Sequence, residues 1–473
     1  MGPDAFAVIG AGPAGLAAAY DLARRGLAPV VFESAMEVGG LSRTVQYKGF
    51  RADIGSHRFF TKAREVQQLW QEVLGEEFLT RPRLSRIYYR GKFFAYPLRP
   101  FSALAGLGPV TGARILGSFA RHRLFPKRPE DSFERWVSNR FGAVLYSIFF
   151  KTYTEKVWGI PGSQISADWA AHRIRNLSLG RVLLNALGVG AGHKAASLIE
   201  QFHYPRYGPG QMYEAMAAKA AQRGASIMLR HEAIRVRHSD GRVVGIVAKS
   251  DQGEVEFPAR NLVSSMPLSE LVLRLSPEAP PDVQAAARSL RYRSIITVNL
   301  VLRQERIVPD TWVYLHAPEV RAGRIQLYKN WSPEMVPDPA MSTIGFEYFV
   351  WEGDSTWNLP EADLRDLAMT DLRVLGLGDP SAVEDAFVVR YADAYPVYDL
   401  SYRSPLRVIR DYLGRFSNLA CVGRYGQFRY NNMDHSIMTA LLGVRRLLGE
   451  NVDPWSVNAD AEYLEEKSSD TST

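Results

Sequence analysis

The chain has 473 residues, 46% hydrophobic and 23% charged, the balance of a soluble globular protein with room for two or three domains rather than of a disordered or fibrous one. Its one cysteine, Cys421, excludes a disulfide framework and a cysteine metal site, and its nine histidines show no metal-ligand spacing. The net charge of +7 is uneven, because eleven cations and no acid fall between Arg81 and Arg128. In chain order, residues 6–9 (Phe-Ala-Val-Ile) read as a strand, Gly10-Ala-Gly12-Pro-Ala-Gly15 as a tight turn, residues 16–25 as a helix and residues 29–32 as a second strand ending at Glu33. Gly10 permits the turn, Gly12 has no Cβ to block a pyrophosphate, and Gly15 lets the helix lie close on the strand. The pyrophosphate is then expected on the free N–H groups of that helix, and Glu33, 18 residues after Gly15, is placed to accept ribose hydroxyls.

Residues 62–80 read as a helix from the spacing of Val66, Leu69, Trp70 and Val73, and residues 84–89 and 93–96 as a hairpin around Arg90-Gly91-Lys92. Asp131-Ser132 can cap one long helix running toward Tyr153, and helices are expected through 166–200. A helix over 208–222 is followed by strands at 226–229, 233–238, 243–249, 253–257 and 261–265. Further strands are expected at 294–303, 311–316, 324–329, 343–351, 384–391 and 418–422, with helices at 361–376 and 432–449. The polar tail, 459–473, is expected to be disordered.

Beyond Glu33 come Gly39-Gly40-Leu41-Ser42-Arg43 and then His57, within Asp53-Ile-Gly55-Ser-His57-Arg-Phe59. This pattern resembles the FAD-binding superfamily of amine oxidases, protoporphyrinogen oxidases and UDP-galactopyranose mutases. The resemblance implies FAD as cofactor and a mixed α/β fold: an FAD-binding Rossmann-like domain (1–61, 208–270 and 417–450), a largely helical substrate or cap domain (62–207) and a sheet-rich substrate domain (271–416). It also places His57 near the flavin, although a satisfied, partly buried histidine reads equally well.

Four later stretches are similar to the mutases in particular. Phe149-Phe-Lys-Thr-Tyr153 through Trp158 resembles their cleft signature, which implies Phe149 and Tyr153 on either side of a uracil ring and Trp158 against the sugar. The other reading is that all three are core aromatics. Gly423-Arg424 through Tyr430-Asn-Asn432-Met433-Asp434 is similar to the run that sets an arginine (Arg424) beside the flavin and a tyrosine (Tyr430) on the diphosphate, with Asn432 capping the last helix. Gly423, Asn432, Met433 and Asp434 then belong to the cofactor site. Gly323-Arg324 and Tyr395-Pro396 match a diphosphate arginine and tyrosine, and Tyr207 fits a weaker part of the pattern. A second phosphate arginine is missing, since Leu177 stands there; Arg175 and Arg181 are its candidate substitutes, and a different anion is the alternative. Leu262-Val-Ser-Ser265-Met-Pro267 instead looks like the amine oxidase and desaturase branch.

The resemblance therefore implies a redox-neutral sugar mutase. It would interconvert pyranose and furanose forms of a UDP- or other phosphate-activated sugar, with reduced FAD acting through N5 as nucleophile. The substrate would be a nucleotide sugar or a lipid-phosphate sugar, and NADPH or NADH the reductant. The alternatives are an FAD-dependent oxidoreductase of the amine oxidase, protoporphyrinogen oxidase or desaturase type, and a flavoprotein-derived binding module. The basic stretch reads as a solvated face, as a site for an anionic substrate, or as peripheral contact with an anionic membrane; no nucleic-acid motif accompanies it. The chain's opening shows no secretory pattern and no stretch reaches the roughly 18 apolar residues of a membrane span, so a cytoplasmic location is expected.

Overall fold

Five parallel strands, drawn from four distant parts of the chain, make the sheet that positions the site. Their order is Leu419–Cys421, Asn261–Ser264, Phe6–Ile9, Val30–Phe32, Ser226–Met228. Phe6–Ile9 is buried throughout, which is why it reads as a continuous apolar run rather than an alternating one. The helix Pro13–Arg24 follows it and packs against Gly210–Gln222 and Met433–Leu447. Its alanines, Ala14, Ala17, Ala18 and Ala19, are small enough to be buried against both neighbours. The structure, a computed structural model, describes residues 5–96, 106–169 and 201–458.

A seven-stranded sheet forms the second layer, in the order Val383–Pro396, Tyr292–Leu302, Ser342–Val350, Arg324–Leu327, Trp312–Leu315, Ser85–Tyr89, Lys92–Ala95. Period-two alternation divides its longest central strand between two cores. Ile296, Val298, Leu300 and Leu302 pack with Leu364, Ala368 and Leu372 of the helix Glu361–Leu375. Ile295 and Val301 face an aromatic core that includes Phe149, Trp158 and Tyr395. The hairpin at residues 85–95 extends this sheet, pairing in parallel with Trp312–Leu315. The fold is of the mixed α/β class expected, with helices and several sheets.

Two predicted helices are shorter than their apolar periodicity suggests, and a glycine causes each break. The helix Arg64–Leu74 stops at Gly75 (φ 55), after which Phe78–Pro82 becomes a strand paired with Gln201–Pro205. The long helix after Ser132 is interrupted at Gly142 (φ 84). A Cβ there would lie 2.7 Å from the backbone nitrogen of Phe119, so the crossing helix Pro109–Leu124 admits only glycine. The chain resumes as Ala143–Tyr146, a π-type turn over Ser147–Lys151 and Thr152–Trp158. Ser132 does cap the first segment, its Oγ accepting from the Arg135 N–H at 3.4 Å. The hairpin Thr44–Tyr47 with Phe50–Asp53 and the helices Leu268–Leu273, Pro281–Ser289 and Arg403–Leu413 have no counterpart in the sequence reading. Of the helices expected through 166–200, the part over 170–200 lies outside the described residues, as does the tail 459–473. Among the described residues no helix is long and apolar enough to cross a membrane.

Candidate active site

A cavity of about 590 Å³ lies against the parallel sheet and collects residues from both ends of the chain. Gly10, Gly12, Glu33, Gly40, Leu41, Ser42 and Arg43 line it, together with His57, Ser265, Tyr391, Gly423, Arg424, Asn432 and Met433. The three glycines of the turn differ physically. Gly10 (φ +94) would drive a Cβ to 2.3 Å from the Ser265 Oγ, and Gly15 to 1.8 Å from the Gly10 carbonyl oxygen. A Cβ on Gly12 would meet only the Gly40 Cα, at 3.9 Å, so the space it would fill belongs to the cavity. Gly39 (φ 101) donates its N–H to the Ala11 carbonyl at 2.8 Å and so holds the glycine pair against the turn. No side chain caps the helix that starts at Pro13. An unobstructed helix start under a glycine turn fits the diphosphate of a dinucleotide.

Glu33 lines the same cavity, and its carboxylate accepts from the N–H groups of Ala11 (2.6 Å) and Ala35 (2.8 Å). His57 is buried, and Nε2 donates to the Ile54 carbonyl at 2.9 Å while Ser42 Oγ lies 3.4 Å from Nδ1. Burial, then the Arg424 and Arg324 charges working against its backbone hydrogen bonds, lower its pKa to about 4, so the ring is neutral at pH 7. Asn432 is the N-cap of Met433–Leu447, with its N–H 3.4 Å from His435 Nδ1. Asp434 does not line the cavity; its Oδ1 lies 3.3 Å from His435 Nδ1.

The residues read from separate motifs meet beside His57. A Cβ on Gly55 would lie 3.4 Å from Tyr395 Oη, 3.8 Å from Arg324 Nη2 and 3.9 Å from His57 Nε2. Tyr395 and Tyr430 stack with centroids 5.6 Å apart at 14°, and the Arg424 guanidinium sits over both rings, at 5.2 and 4.9 Å. Arg424 is fixed there by Nε donating to the Asn431 carbonyl (2.9 Å) and Nη1 to the Ala394 carbonyl (3.3 Å). A register shift between Arg293 and Ile295 makes room for a bulge in the facing strand, with Asp393 left-handed (φ 52) between Tyr391 and Tyr395. Bulges of this kind re-aim side chains, and this one sends both tyrosines into the site. Trp158 is fully buried beneath Trp169 (4.6 Å) and Tyr430 (6.3 Å).

Arg324 already has a partner. It lies opposite Glu347 in the antiparallel register, with Nε 2.7 Å and Nη2 2.5 Å from Oε2. Gln326 donates to the other oxygen, Oε1, at 2.7 Å. Burial alone would lower the Arg324 pKa, but the Glu347 carboxylate outweighs it and holds the guanidinium well above its ordinary value. Burial, then Tyr430, pushes the Tyr395 phenol up to about 12.

Three expectations need correction. Phe149 is a core residue, 3% exposed and packed against Tyr89 and Phe94, with centroids at 6.0 and 5.3 Å. Tyr153 does stack on a flat ring, but the ring is the chain's own His316, at 4.9 Å and 6°, with Phe149 at 6.4 Å from the same imidazole. Tyr207 is 43% exposed and lies under Arg51 at 4.9 Å, away from the arginine–tyrosine cluster. Arg175 and Arg181 lie outside the described residues. The basic stretch is not one face either: Arg81 donates to the Trp331 carbonyl, and Arg86 forms a two-pronged pair with buried Asp310.

Glu347, His316, Trp169 and Tyr391 are the residues the sequence reading missed. Glu347 had a signal, being the one charged residue of the strand Ser342–Val350. His316 had none, because its role depends on Tyr153 arriving from another layer.

Comparisons with known proteins bear on the family and the fold. The profile of the family described as flavin containing amine oxidoreductase matches residues 13–441. A Mycobacterium tuberculosis protein named as a flavin-containing monoamine oxidase, AofH, is 27% identical over 296 residues, 59% of this chain and 61% of that protein's length. An L-amino-acid oxidase of Crotalus adamanteus is 42% identical over only 66 residues, 14% of this chain and 13% of its own. Among solved structures, reduced UDP-galactopyranose mutase superposes with a TM-score of 0.81 over 98% of this chain and 99% of its own, at 20% identity. A protein titled as a protoporphyrinogen oxidase from Exiguobacterium sp. 255-15 reaches 0.69 over 95% and 100%, at 17% identity. With the profile spanning most of its length and the dinucleotide cavity in place, the chain belongs to the flavin-containing amine oxidoreductase family.

Proposed function

We propose that the protein is an FAD-dependent sugar mutase that interconverts the ring forms of a phosphate-activated sugar without net oxidation. The observation that carries this reading is the charge of the cluster beside His57. Two partly buried arginines, Arg324 and Arg424, share it with the fully buried acid Glu347, inside an aromatic wall. A net positive, partly desolvated pocket favours an anion and disfavours an ammonium group.

In this reading the glycine turn and Glu33 hold the adenosine diphosphate half of FAD, and Gly423–Met433 faces its ring end. Bound in its reduced form, the flavin supplies the nucleophilic centre that the protein itself lacks. Arg324 and Arg424 hold the phosphate as it leaves and returns. The hydroxyls of Tyr395 and Tyr430 donate to its oxygens, and Tyr395 stays protonated because burial raises its phenol. Trp158 and Trp169 exclude water from the sugar. His57 orients but does not shuttle protons, since its Nε2–H is committed to Ile54. His316 on Tyr153 leaves no ring-sized gap there, which supports a phosphate carrier without a stacked base.

The test is incubation of dithionite-reduced holoprotein with UDP-hexoses and with a polyprenyl-phosphate hexose, followed by analysis of ring forms. Catalytic turnover without stoichiometric use of reductant supports the proposal. NADH and NADPH are then compared as physiological reductants. The second reading is an amine-oxidising flavoenzyme, favoured by the name of the Mycobacterium tuberculosis relative. One equivalent of acceptor consumed per amine oxidised, with no ring-form change in any sugar, would establish it instead.

A further inference from the structure

We propose that the outer face of the helix Pro109–Leu124, with the turn that follows it, docks on an anionic lipid bilayer. The three most exposed large apolar side chains among the described residues are Phe125 (75%), Val110 (74%) and Leu124 (73%). They come from three places in one short segment of a 473-residue chain, and five exposed cations interleave them: Arg114, Arg121, Arg123, Lys127 and Arg128. Helical spacing puts Val110, Arg114, Arg121 and Leu124 on one side. Gly112, Ile115 and His122 are the buried residues of the same helix. The segment is thus amphipathic toward its own protein, and its solvent face mixes cations with large apolar groups where a solvated face would carry both signs of charge.

Among the described residues none of the five cations makes an ion pair. The nearest acids in sequence have closer partners: Glu130 pairs with Arg140 at 2.9 Å and feels Arg128 only at longer range, and Asp131 pairs with Arg135 at 2.9 Å. Unpaired cations beside exposed apolar side chains match the two layers of a membrane surface, anionic headgroups and the acyl boundary beneath them. A nucleic acid would engage the cations but leave Leu124 and Phe125 in water. On its inner side the helix packs on Phe133–Phe141 and Ala143–Tyr146, and Ile115 belongs to the same core as Trp158. The proposed surface and one wall of the candidate site are therefore two faces of one helical layer. The proposal stands independently of the chemistry argued above.

The experiment is co-sedimentation of the full-length holoprotein with vesicles of phosphatidylglycerol and phosphatidylcholine (1:1) and of phosphatidylcholine alone, at low and high salt. Binding is expected to the anionic vesicles only, weakened at least tenfold by high salt. Arg121→Glu/Arg123→Glu/Lys127→Glu/Arg128→Glu should abolish it, and Leu124→Ser/Phe125→Ser should weaken it at least threefold, with flavin content and circular dichroism unchanged in both. No binding of the wild type to anionic vesicles overturns the proposal. So does binding that survives the four charge reversals, or a Leu124/Phe125 variant that binds as the wild type does. Retention of duplex DNA, with no vesicle binding, assigns the face to nucleic acid and also overturns it.

Discussion

At the glycine cradle the site is made of side chains that are not there, whereas at the arginine–tyrosine cluster it is made of side chains held in place, Arg324 by a carboxylate and Arg424 and His57 by backbone carbonyls. Gly10, Gly12 and Gly15 work within six residues of one another; a Cβ would meet the Ser265 side chain at Gly10, the Gly40 backbone at Gly12 and first the Gly10 backbone at Gly15. Arg324 and Tyr395 come from one sheet, Arg424 from the short helix Gly423–Gly426 and His57 from a loop; Glu347 holds Arg324, the Ala394 and Asn431 carbonyls hold Arg424, and the Ile54 carbonyl holds His57. Damage to the first region should therefore be local and graded by position. Damage to the second should spread to whichever partner is left behind.

The largest effect expected is within the cradle itself. Gly10→Val combines a left-handed backbone with a Cβ 2.3 Å from Ser265 Oγ and should yield no soluble folded protein. Gly12→Val meets only the cavity and should fold, with native circular dichroism but no visible flavin absorbance. A yellow Gly12→Val protein would remove the glycine turn from the cofactor site.

Next comes the buried pair. Arg324→Ala leaves the Glu347 carboxylate uncompensated and should cost about 3–5 kcal/mol in denaturant unfolding. Arg324→Met/Glu347→Gln should recover most of that stability while leaving sugar-phosphate binding lost. If the single variant is as stable as wild type, the two groups are not electrostatically dependent, and the contrast between the regions fails.

A smaller effect should show in acid. Burial, then Lys156, lowers the His316 pKa to about 3 against an unfolded value near 6.5, so the unfolded chain takes up the proton first. Stability contributed by neutral His316 is thus present above about pH 6.5 and lost as pH falls toward 3. His316→Phe keeps a ring on Tyr153 and should flatten the stability–pH curve across that window by a few kcal/mol. His57, lowered to about 4, acts in the same direction and remains in the variant. An unchanged curve would mean that His316 is hydrated in solution. Smallest of all is Tyr207→Ala, expected to change stability by less than about 0.5 kcal/mol and to leave flavin content alone, as its exposure implies.

The same contrast explains what could be read from sequence. Glycines report on local backbone geometry, so the turn, the paired Gly39 and Gly40 and the N-cap Asn432 stood in the sequence with their neighbours beside them. Trp158, Arg324, Tyr395, Arg424 and Tyr430 were legible only through resemblance to known motifs, since nothing in their spacing brings residues 158 and 430 together. Glu347 stood out in the sequence only as the one charge of its strand and His316 not at all, because the role of each is defined by a partner on another strand or layer. Phe149 and Tyr153 share a helical side, as the spacing implies. Spacing does not say whether the ring between them belongs to a ligand or to the protein.

The Arg324–Glu347 pair also bears on how the seven-stranded sheet finds its alignment. A slip of one residue turns every side chain of a strand to the opposite face. Arg324 and Gln326 point the same way and both reach Glu347, one straight across and one on the diagonal. Sliding the strand Arg324–Leu327 by one residue would turn both donors to the opposite face and strand a carboxylate in the core. The charge that would receive a substrate thus doubles as a proofreading mark: a misaligned sheet is penalised as it forms, before any ligand is present to favour the correct one.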